Sequence, residues 1–269
     1  MPLLEENQQN ELTRRITWQI FCNSCVNHAN LTNETIQKLT PSFILEKLSK
    51  EVLKTQNVIC ALINLNIEPF ATSDTNIDTF KVILGLCQND CDFAIVAILA
   101  MLKYEEVLDK IDDFLNTEEL IEIYELCQDA LENEKISEKT LLFLVKSLKK
   151  KNNALLNTYF KDLVCPIETS KLLLIVCKAS STEKWQKLLQ NDKSLLIETI
   201  FLLKMMHDTE KSNGSLHQNP DNKTVQDSPI NGFKCNMVRL LGNLTYRNKA
   251  NQDEVNKKVF LKSACSYIF

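Results

Sequence analysis

Apolar residues recur along this chain with the period of an α-helix, not with that of a β-strand. One stripe follows the positions i, i+3, i+4, i+7 and i+11 of a single helical face: Leu120, Ile123, Tyr124, Cys127 and Leu131. Asn116 precedes this stripe, and Glu119 lies three residues after Asn116, which is the spacing of a capping box; Ser180 and Glu183 repeat that spacing. Since no segment sustains an alternation of apolar and polar residues, the pattern predicts helices and no strands.

The chain divides into helical segments of about a dozen residues, separated by short turns. The predicted helices span 11–28, 42–54, 56–66, 76–88, 90–103, 104–115, 117–131, 137–150, 152–163, 166–178, 181–190, 192–207, 232–246 and 250–261. Turns this short leave no room for long crossovers. Consecutive helices must therefore pack on their neighbours, either in a compact bundle or in a stacked solenoid.

One polar segment interrupts this pattern. Residues 208–231 contain two of the six prolines and almost no large apolar side chain, so burial cannot offset their ordering entropy and a disordered loop is predicted. The residues that follow are too few for an independent core. We therefore expect helical repeats over 1–207, the loop over 208–231, and a helical region over 232–269 that packs on the preceding helices.

Composition and charge exclude several classes of protein. Four glycines in 269 residues are too few for a β-sandwich or for a nucleotide-binding α/β fold. The net charge is −4 and only four of the 31 basic residues are arginine, so nucleic acid is not an expected partner. The longest apolar run, 93–102, is about half the length of a membrane span, and the N-terminus does not resemble a signal peptide. We therefore predict a cytoplasmic protein without a membrane span.

Ten cysteines are spread along the chain, mostly among aliphatic residues. In a cytosolic protein this distribution predicts reduced, buried thiols that pack as small hydrophobes. Cys22, Cys25 and His28 have the spacing C-x-x-C-x-x-H, but a zinc site needs four ligands and no fourth is evident. We interpret them as part of one buried helical face, and Cys87 and Cys91 as residues on either side of a turn between helices.

The titratable residues do not form a recognisable catalytic motif. None of the three histidines is accompanied by a serine or cysteine nucleophile motif, and the chain has no phosphate-binding loop and no H-E-x-x-H sequence. His207 is expected at a helix end, where a protonated imidazole favours the helix dipole. We therefore predict a protein that is not an enzyme and needs no cofactor or metal.

Two parts of the chain resemble each other. Residues 18–30 and residues 238–248 both form an apolar helix that contains an asparagine, Asn23 or Asn243, and then continue into a polar turn rich in asparagine. A buried asparagine at a helix end satisfies the orphan backbone groups of the turn. We expect Asn243 to bond backbone groups of the turn between Tyr246 and Asn251, with Asn23 as its counterpart.

The second of these parts belongs to a longer motif. The segment from Phe233 to Val255 reads FKCNMVRLLGNLTYRNKANQDEV and resembles the opening of the C-terminal domain of the ataxin-10 family. The positions that match the family's motif are Arg239, Gly242, Asn243, Leu244, Asn251, Gln252 and Asp253. Asn243 and the pair Asn251–Gln252 are also features of armadillo repeats.

This resemblance implies an all-α fold, an armadillo-like right-handed helical solenoid of stacked helix pairs or triplets. It implies a scaffold in the cytosol, including the perinuclear region, the centrosome and the basal body, with roles in cytokinesis, cilium function and neurite growth through protein partners. The alternative function is a helical regulatory subunit that positions a catalytic partner.

After Val255 the chain departs from the family pattern. The family continues into further repeats, whereas this sequence ends at Phe269, so it resembles a form truncated within the domain. An uncovered solenoid end exposes apolar surface. We expect the last dozen or so residues to be mobile and five apolar side chains among them to be exposed. Through these side chains the chain is expected to self-associate: Phe260, Leu261, Tyr267, Ile268 and Phe269. The alternative is that they fold back as a cap over the helix of residues 238–244.

Overall fold

The computed structural model describes the backbone of residues 2–27, 40–89, 91–156, 165–213 and 232–265, and side chains within 10–26, 40–89, 91–156, 165–208 and 232–258. Every regular element in these ranges is a helix, as the apolar period predicts. The helices are α1 (Pro2–Asn27), α2 (Pro41–Lys50), α3 (Leu53–Leu65), α4 (Glu68–Thr72), α5 (Asn76–Cys87), α6 (Asp92–Met101), α7 (Glu105–Phe114), α8 (Thr117–Glu132), α9 (Glu138–Leu156), α10 (Pro166–Ser180), α11 (Glu183–Gln190), α12 (Lys193–Asn213), α13 (Phe233–Thr245) and α14 (Lys249–Cys265).

Most helix bounds agree with the predicted ones to within a few residues, and four predictions are wrong. Helix α1 begins at Pro2 and not at residue 11. The short helix α4, which has a proline in its first turn, was not predicted. The predicted break at residue 151 does not occur, because α9 runs unbroken to Leu156. Helix α12 continues to Asn213, so residues 208–213 are helical and His207 lies inside a helix rather than at its end. Residues 214–231, the rest of the predicted loop, lie outside the described ranges.

One predicted capping box is confirmed and the other is wrong. The backbone N–H of Asn116 donates to Glu119 Oε2 at 2.8 Å, and the N–H of Glu119 donates to Asn116 Oδ1 at 3.0 Å. Thr182, and not Ser180, is the residue before α11. The hydroxyl of Ser180 instead donates to the carbonyl of Cys177 at 2.7 Å, inside α10.

The chain folds as two compact units. The first comprises residues 1–130 and 135–140, and the second comprises 131–134 and 141–269. In the first unit, α2 packs on α5, α3 on α6 and α4 on α7, so that each of these helices contacts the helix three places further along the chain. This is the order of contacts expected of a three-helix repeat.

Helix α1 packs on α3 through aromatic and thiol side chains. Cys22 and Cys25 are buried against Leu62, and Trp18 and Phe21 extend the same cluster. The core of the first unit continues through fully buried aliphatic and aromatic residues: Ile44, Leu48, Ile59, Phe80, Ile98, Ile111 and Tyr124. Burial of such side chains is the main favourable term in folding.

In the second unit, α13 packs on α10, α11 and α12, and α14 packs on α12 and α13. Helices α13 and α14 therefore both contact helices that precede them in the chain. The side chains after residue 258, where exposed apolar residues are predicted, lie outside the described residues. The core contains Leu172, Val176, Leu196, Leu240 and Leu244, all buried. Among the described residues, no helix combines the length and the apolar character that crossing a membrane requires.

Candidate functional site

The C-terminal motif is built around Asn251, a fully buried residue in the first turn of α14. Its Nδ2 donates to the carbonyl of Leu244 at 2.7 Å and to the carbonyl of Gln190 at 2.9 Å. Its Oδ1 accepts a hydrogen bond from Lys193 Nζ. One carboxamide therefore links the end of α13 to the junction between α11 and α12.

Side-chain amides satisfy the last carbonyls of α13, which have no partner inside the helix. Gln190 Nε2 donates to the carbonyl of Asn243 at 3.0 Å and to that of Tyr246 at 2.8 Å. Asn251 Nδ2 donates to the carbonyl of Leu244, and Gln252 Nε2 donates to that of Thr245 at 3.0 Å. We call this set of three amides, Gln190, Asn251 and Gln252, the carboxamide cap of α13.

The partner predicted for Asn243 is wrong. Its Nδ2 donates to Ser180 Oγ at 2.9 Å and reaches the carbonyl of Cys177 at 3.5 Å, both on α10, and not to the turn after Tyr246. The reason is geometric: Asn243 lies on the side of α13 that faces α10, and the carboxamide cap already satisfies the carbonyls at the end of its own helix. Asn243 thus holds two helices together.

The remaining motif residues lie nearer the surface. Arg239 and Gly242 are exposed, and a Cβ added to Gly242 would meet no atom within 4 Å. Asp253 pairs with Lys249 at 3.0 Å, one turn earlier on the exposed side of α14. Asn23 is exposed on α1, because Trp18, Phe21, Cys22 and Cys25 occupy the side of that helix that packs on α3. The expected buried counterpart of Asn243 is therefore not Asn23.

A counterpart of Asn251 lies in the first unit, and the sequence patterns did not reveal it. Asn76 is fully buried at the start of α5, and its Nδ2 donates to the carbonyls of Ala71 at 2.9 Å and Glu106 at 3.0 Å. Its Oδ1 accepts from Lys110 Nζ at 2.8 Å. Each unit thus contains a buried asparagine that bonds two carbonyls and one lysine. The only signal in the sequence is an asparagine that opens an apolar helical stripe.

The cysteines of the described residues are all free, and most but not all are buried. Cys235 is exposed, and Cys87 and Cys165 are half-buried, so the prediction of uniformly buried thiols is wrong for these three. Burial raises the pKa of Cys22 and Cys25, which keeps them protonated; His28 lies outside the described residues. No group of metal-ligating side chains occurs in the part of the chain that the structure describes.

Cys91 lies in a different environment. It is 1% exposed, and its Sγ donates to Asn57 Oδ1 at 3.0 Å. A hydrogen bond with Cys60 lowers the pKa of Cys91 and raises that of Cys60. Across the turn, burial, followed by the charge of Glu122, raises the pKa of Cys87 to about 12. Asn57 also accepts from the backbone N–H of Phe93 at 3.3 Å, so this cluster connects α3 to the start of α6.

Two concave regions contrast in character. In the second unit an apolar cavity of about 220 Å³ is lined by Leu155, Pro166, Thr169, Leu202, Met205, Met206 and Phe233. In the first unit a groove beside α8 is lined by acidic side chains: Glu118, Glu122, Glu125 and Asp129. Gln88 Nε2 donates to Glu122 Oε2 at 2.9 Å. Burial raises the pKa of Glu122, and neighbouring carboxylates add to the rise.

Comparison with known proteins finds relatives over about a third of this chain. The chain is 34% identical to Ataxin-10 of Macaca fascicularis over 94 residues, which are 34% of this chain and 20% of that protein. It is 33% identical to Ataxin-10 of Homo sapiens and 31% identical to Ataxin-10 of Xenopus tropicalis, again over 94 residues and 34% of this chain. The matched region spans about a fifth of the length of these relatives.

A scan against models of protein families gives no match, and no solved structure matches the chain. The three relatives are all Ataxin-10, and they are 31% to 34% identical to this chain. Over about a third of its length, the chain is therefore related to the ataxin-10 family.

Proposed function

We propose that this chain is a non-enzymatic helical scaffold that binds other proteins. The observation that carries the proposal is an exposed apolar stripe on α1. Leu12 and Ile16 are each 47% exposed, Ile20 is 62% exposed and Val26 is 60% exposed. Leu12, Ile16 and Ile20 are spaced four residues apart and lie on one side of the helix, so these three side chains form a continuous surface, which we call the α1 stripe; Val26 lies outside it.

Helix α1 therefore has two apolar sides. One packs on α3 through Trp18, Phe21, Cys22 and Cys25. The other, the α1 stripe, is exposed to solvent. Contiguous exposed apolar surface marks sites of interaction with other proteins, whereas single exposed apolar residues are common on any protein. An amphipathic helix of another protein is the partner that this surface fits.

The test is affinity capture from a cell lysate with the full chain as bait, compared with the double variant Ile16→Lys/Ile20→Lys. The matched control is Leu65→Lys/Phe114→Lys, which changes two exposed apolar residues, 40% and 56% exposed, that do not belong to the stripe. Proteins that the wild-type chain and the control retain should be lost with the stripe variant, while circular dichroism stays unchanged. Equal capture by both variants, or no specific capture by the wild-type chain, would contradict the proposal.

The cellular setting follows from the family relationship. We propose that the chain acts in the cytoplasm, at the centrosome or basal body, in cytokinesis, cilium function and neurite growth. Imaging of the tagged chain through division and ciliogenesis tests this. Enrichment at these structures and a division or cilium defect on depletion are expected, and a uniform distribution without either defect contradicts it. If the captured partner is an enzyme whose rate changes on binding, the regulatory-subunit alternative is favoured.

A further inference from the structure

Helix α13 has an exposed side opposite its core-facing side. The core-facing side contains Phe233, Met237, Leu240 and Leu244, all buried. The exposed side follows positions i, i+3, i+4 and i+7 of the helix, and Tyr246, directly after its last residue, is exposed as well. We call this surface the outer face of α13: Cys235, Val238, Arg239, Gly242 and Tyr246. Val238 is 56% exposed and Tyr246 is 52% exposed, so the outer face includes apolar surface that the fold leaves in contact with water.

No described residue packs so closely on Gly242 that a side chain would be excluded there. A glycine inside a helix destabilises it relative to alanine, and is kept where another backbone comes close. Here a Cβ at Gly242 would meet nothing within 4 Å, so no described neighbour requires the glycine. It leaves a shallow notch in the middle of the outer face, between Val238 and Tyr246, where a second helix can approach closely.

Two arginines lie on or directly after the outer face. Arg239 and Arg247 are two of the four arginines in the chain, both are exposed, and neither makes an ion pair with a described residue. The guanidinium of Arg247 lies 5.1 Å from the centre of the Tyr246 ring, which orients it at the end of the outer face. Arginine pairs with carboxylates through two parallel hydrogen bonds, more specifically than lysine does.

We propose that the outer face of α13 binds an acidic amphipathic helix of a partner protein. The apolar side of that helix packs on Val238 and Tyr246 and crosses at Gly242, and its carboxylates pair with Arg239 and Arg247. This inference rests on the proposed scaffold function and adds the chemistry of one partner. The complementary charges favour an acidic helix over a basic one, since like charges across an interface are strongly unfavourable.

The test uses the full chain and two synthetic helices that share a leucine stripe and differ only in their flanking residues, glutamate in one and lysine in the other. Binding is measured by fluorescence anisotropy at low and at physiological salt. The glutamate helix should bind at least about tenfold more tightly than the lysine helix, and salt should reduce the difference. Arg239→Glu and Gly242→Gln should each weaken binding of the glutamate helix by about tenfold.

The matched control is Gly85→Gln. Gly85 is also an exposed glycine within a helix, α5, and a Cβ there likewise meets nothing within 4 Å, so both substitutions leave the fold intact. Gly85→Gln should leave the affinity unchanged. Equal affinity for the two synthetic helices, or equal loss in both glycine variants, would overturn the inference. Concentration-dependent dimerisation that Gly242→Gln abolishes would also overturn it, because the occupant would then be a second copy.

Failure of this inference and failure of the proposed function can be told apart. If partners captured through the α1 stripe remain bound to Gly242→Gln, and the glutamate helix does not bind, the inference about α13 is wrong and the scaffold function stands. If the chain captures no protein from lysate but binds the glutamate helix as described, the function proposed for the α1 stripe is wrong and the chemistry of α13 stands.

Discussion

Each of the two units contains a buried asparagine that bonds a distant helix. That helix follows the asparagine along the chain in the first unit and precedes it in the second. In the first unit Asn76 bonds the carbonyl of Ala71 just before it and that of Glu106 on a later helix. In the second unit Asn251 bonds the carbonyl of Leu244 just before it and that of Gln190 on an earlier helix. A lysine donates a hydrogen bond to each asparagine. Lys110 follows Asn76 along the chain, whereas Lys193 precedes Asn251.

This comparison shows that each buried asparagine connects helices that are distant along the chain and does not cap one turn alone. Each carboxamide satisfies one nearby and one distant backbone carbonyl, so neither the turn nor the neighbouring helix can shift without leaving a buried polar group unpaired. The predictions that follow test whether the two sites are equivalent, beginning with the largest expected effect.

Replacement of either buried asparagine should cost the most. Asn251→Ala and Asn76→Ala each leave two carbonyls and a lysine without their partner, and we expect a loss of about 2–3 kcal/mol in the free energy of unfolding. The chain has two tryptophans, Trp18 in the first unit and Trp185 in the second. Urea titrations in Trp18→Phe and Trp185→Phe backgrounds therefore report each unit separately.

The expected pattern is specific to the unit. Asn76→Ala should lower the urea midpoint of Trp18 fluorescence more than that of Trp185, and Asn251→Ala should do the reverse. Asn23→Ala, at an exposed position on α1, is the control and should cost less than about 0.5 kcal/mol. If the free energy of unfolding falls by less than about 1 kcal/mol for only one of the two alanine variants, the two asparagines do not have equivalent roles.

The two lysines should contribute unequally to the stability of their sites. Lys110 is half-buried and donates to Asn76 Oδ1 at 2.8 Å, whereas Lys193, which donates to Asn251 Oδ1, is an exposed residue. A hydrogen bond screened by solvent contributes less. Lys110→Met should cost about 1–1.5 kcal/mol in unfolding free energy and Lys193→Met about half of that. Equal costs in thermal or urea unfolding would contradict this ranking.

How far sequence reasoning reached can be seen from these residues. The helical period located α5, α10 and α13 well, because it depends on a local repetition of apolar residues. The predicted break in α9 failed at Lys149–Lys151, where a polar run resembles a turn. In the structure Lys149 pairs with Asp192 at 2.9 Å and Lys151 with the buried Glu168 at 2.8 Å, so distant carboxylates stabilise a helix that the local sequence pattern predicts to end there.

The candidate site was only partly predictable for the same reason. The motif contains Asn243 and Asn251, but the sequence does not show which groups their side chains bond. Asn251 bonds the carbonyl of Leu244 near the end of α13, whereas Asn243 bonds Ser180 on α10. Asn76 belongs to no motif at all. Its role depends on Glu106 and Lys110, about thirty residues away, and a single sequence contains no information on which distant backbone carbonyl will lie beside a given amide.

Asn243 should contribute less than the two buried asparagines. It is half-buried and makes one short bond, to Ser180 Oγ at 2.9 Å. We expect Asn243→Ala to cost about 1 kcal/mol and Ser180→Ala to cost a similar amount. In a double-mutant cycle the two losses should not add, because both remove the same bond between α13 and α10. Additive losses in urea unfolding would show that Asn243 acts elsewhere.

The smallest expected difference between the sites is their response to acid. Beside Lys193, the carboxylate of Asp192 caps α12: Leu195 N–H donates to it at 3.0 Å, Lys149 Nζ at 2.9 Å and Ser194 Oγ at 2.8 Å. Burial alone would raise the pKa of Asp192, but these hydrogen bonds and the charge of Lys149 outweigh it and lower that pKa below its usual value of 3.8. The hydrogen bonds of Asn76 with the described residues of the first unit involve no carboxylate side chain.

A carboxyl group whose pKa is lower in the folded state contributes stability at pH values above its unfolded pKa, and this contribution is lost as the pH falls through the folded pKa. Between pH 5 and pH 3 the junction before α12 should therefore weaken more than the start of α5. Asp192→Asn should lower stability slightly at pH 7 and remove part of this acid dependence. Native-state hydrogen exchange measures it at the amides of α12 and α14 against those of α5 and α7. An acid response that Asp192→Asn leaves unchanged would mean that another group sets it, and the sites at Asn76 and Asn251 would then differ only in their lysines.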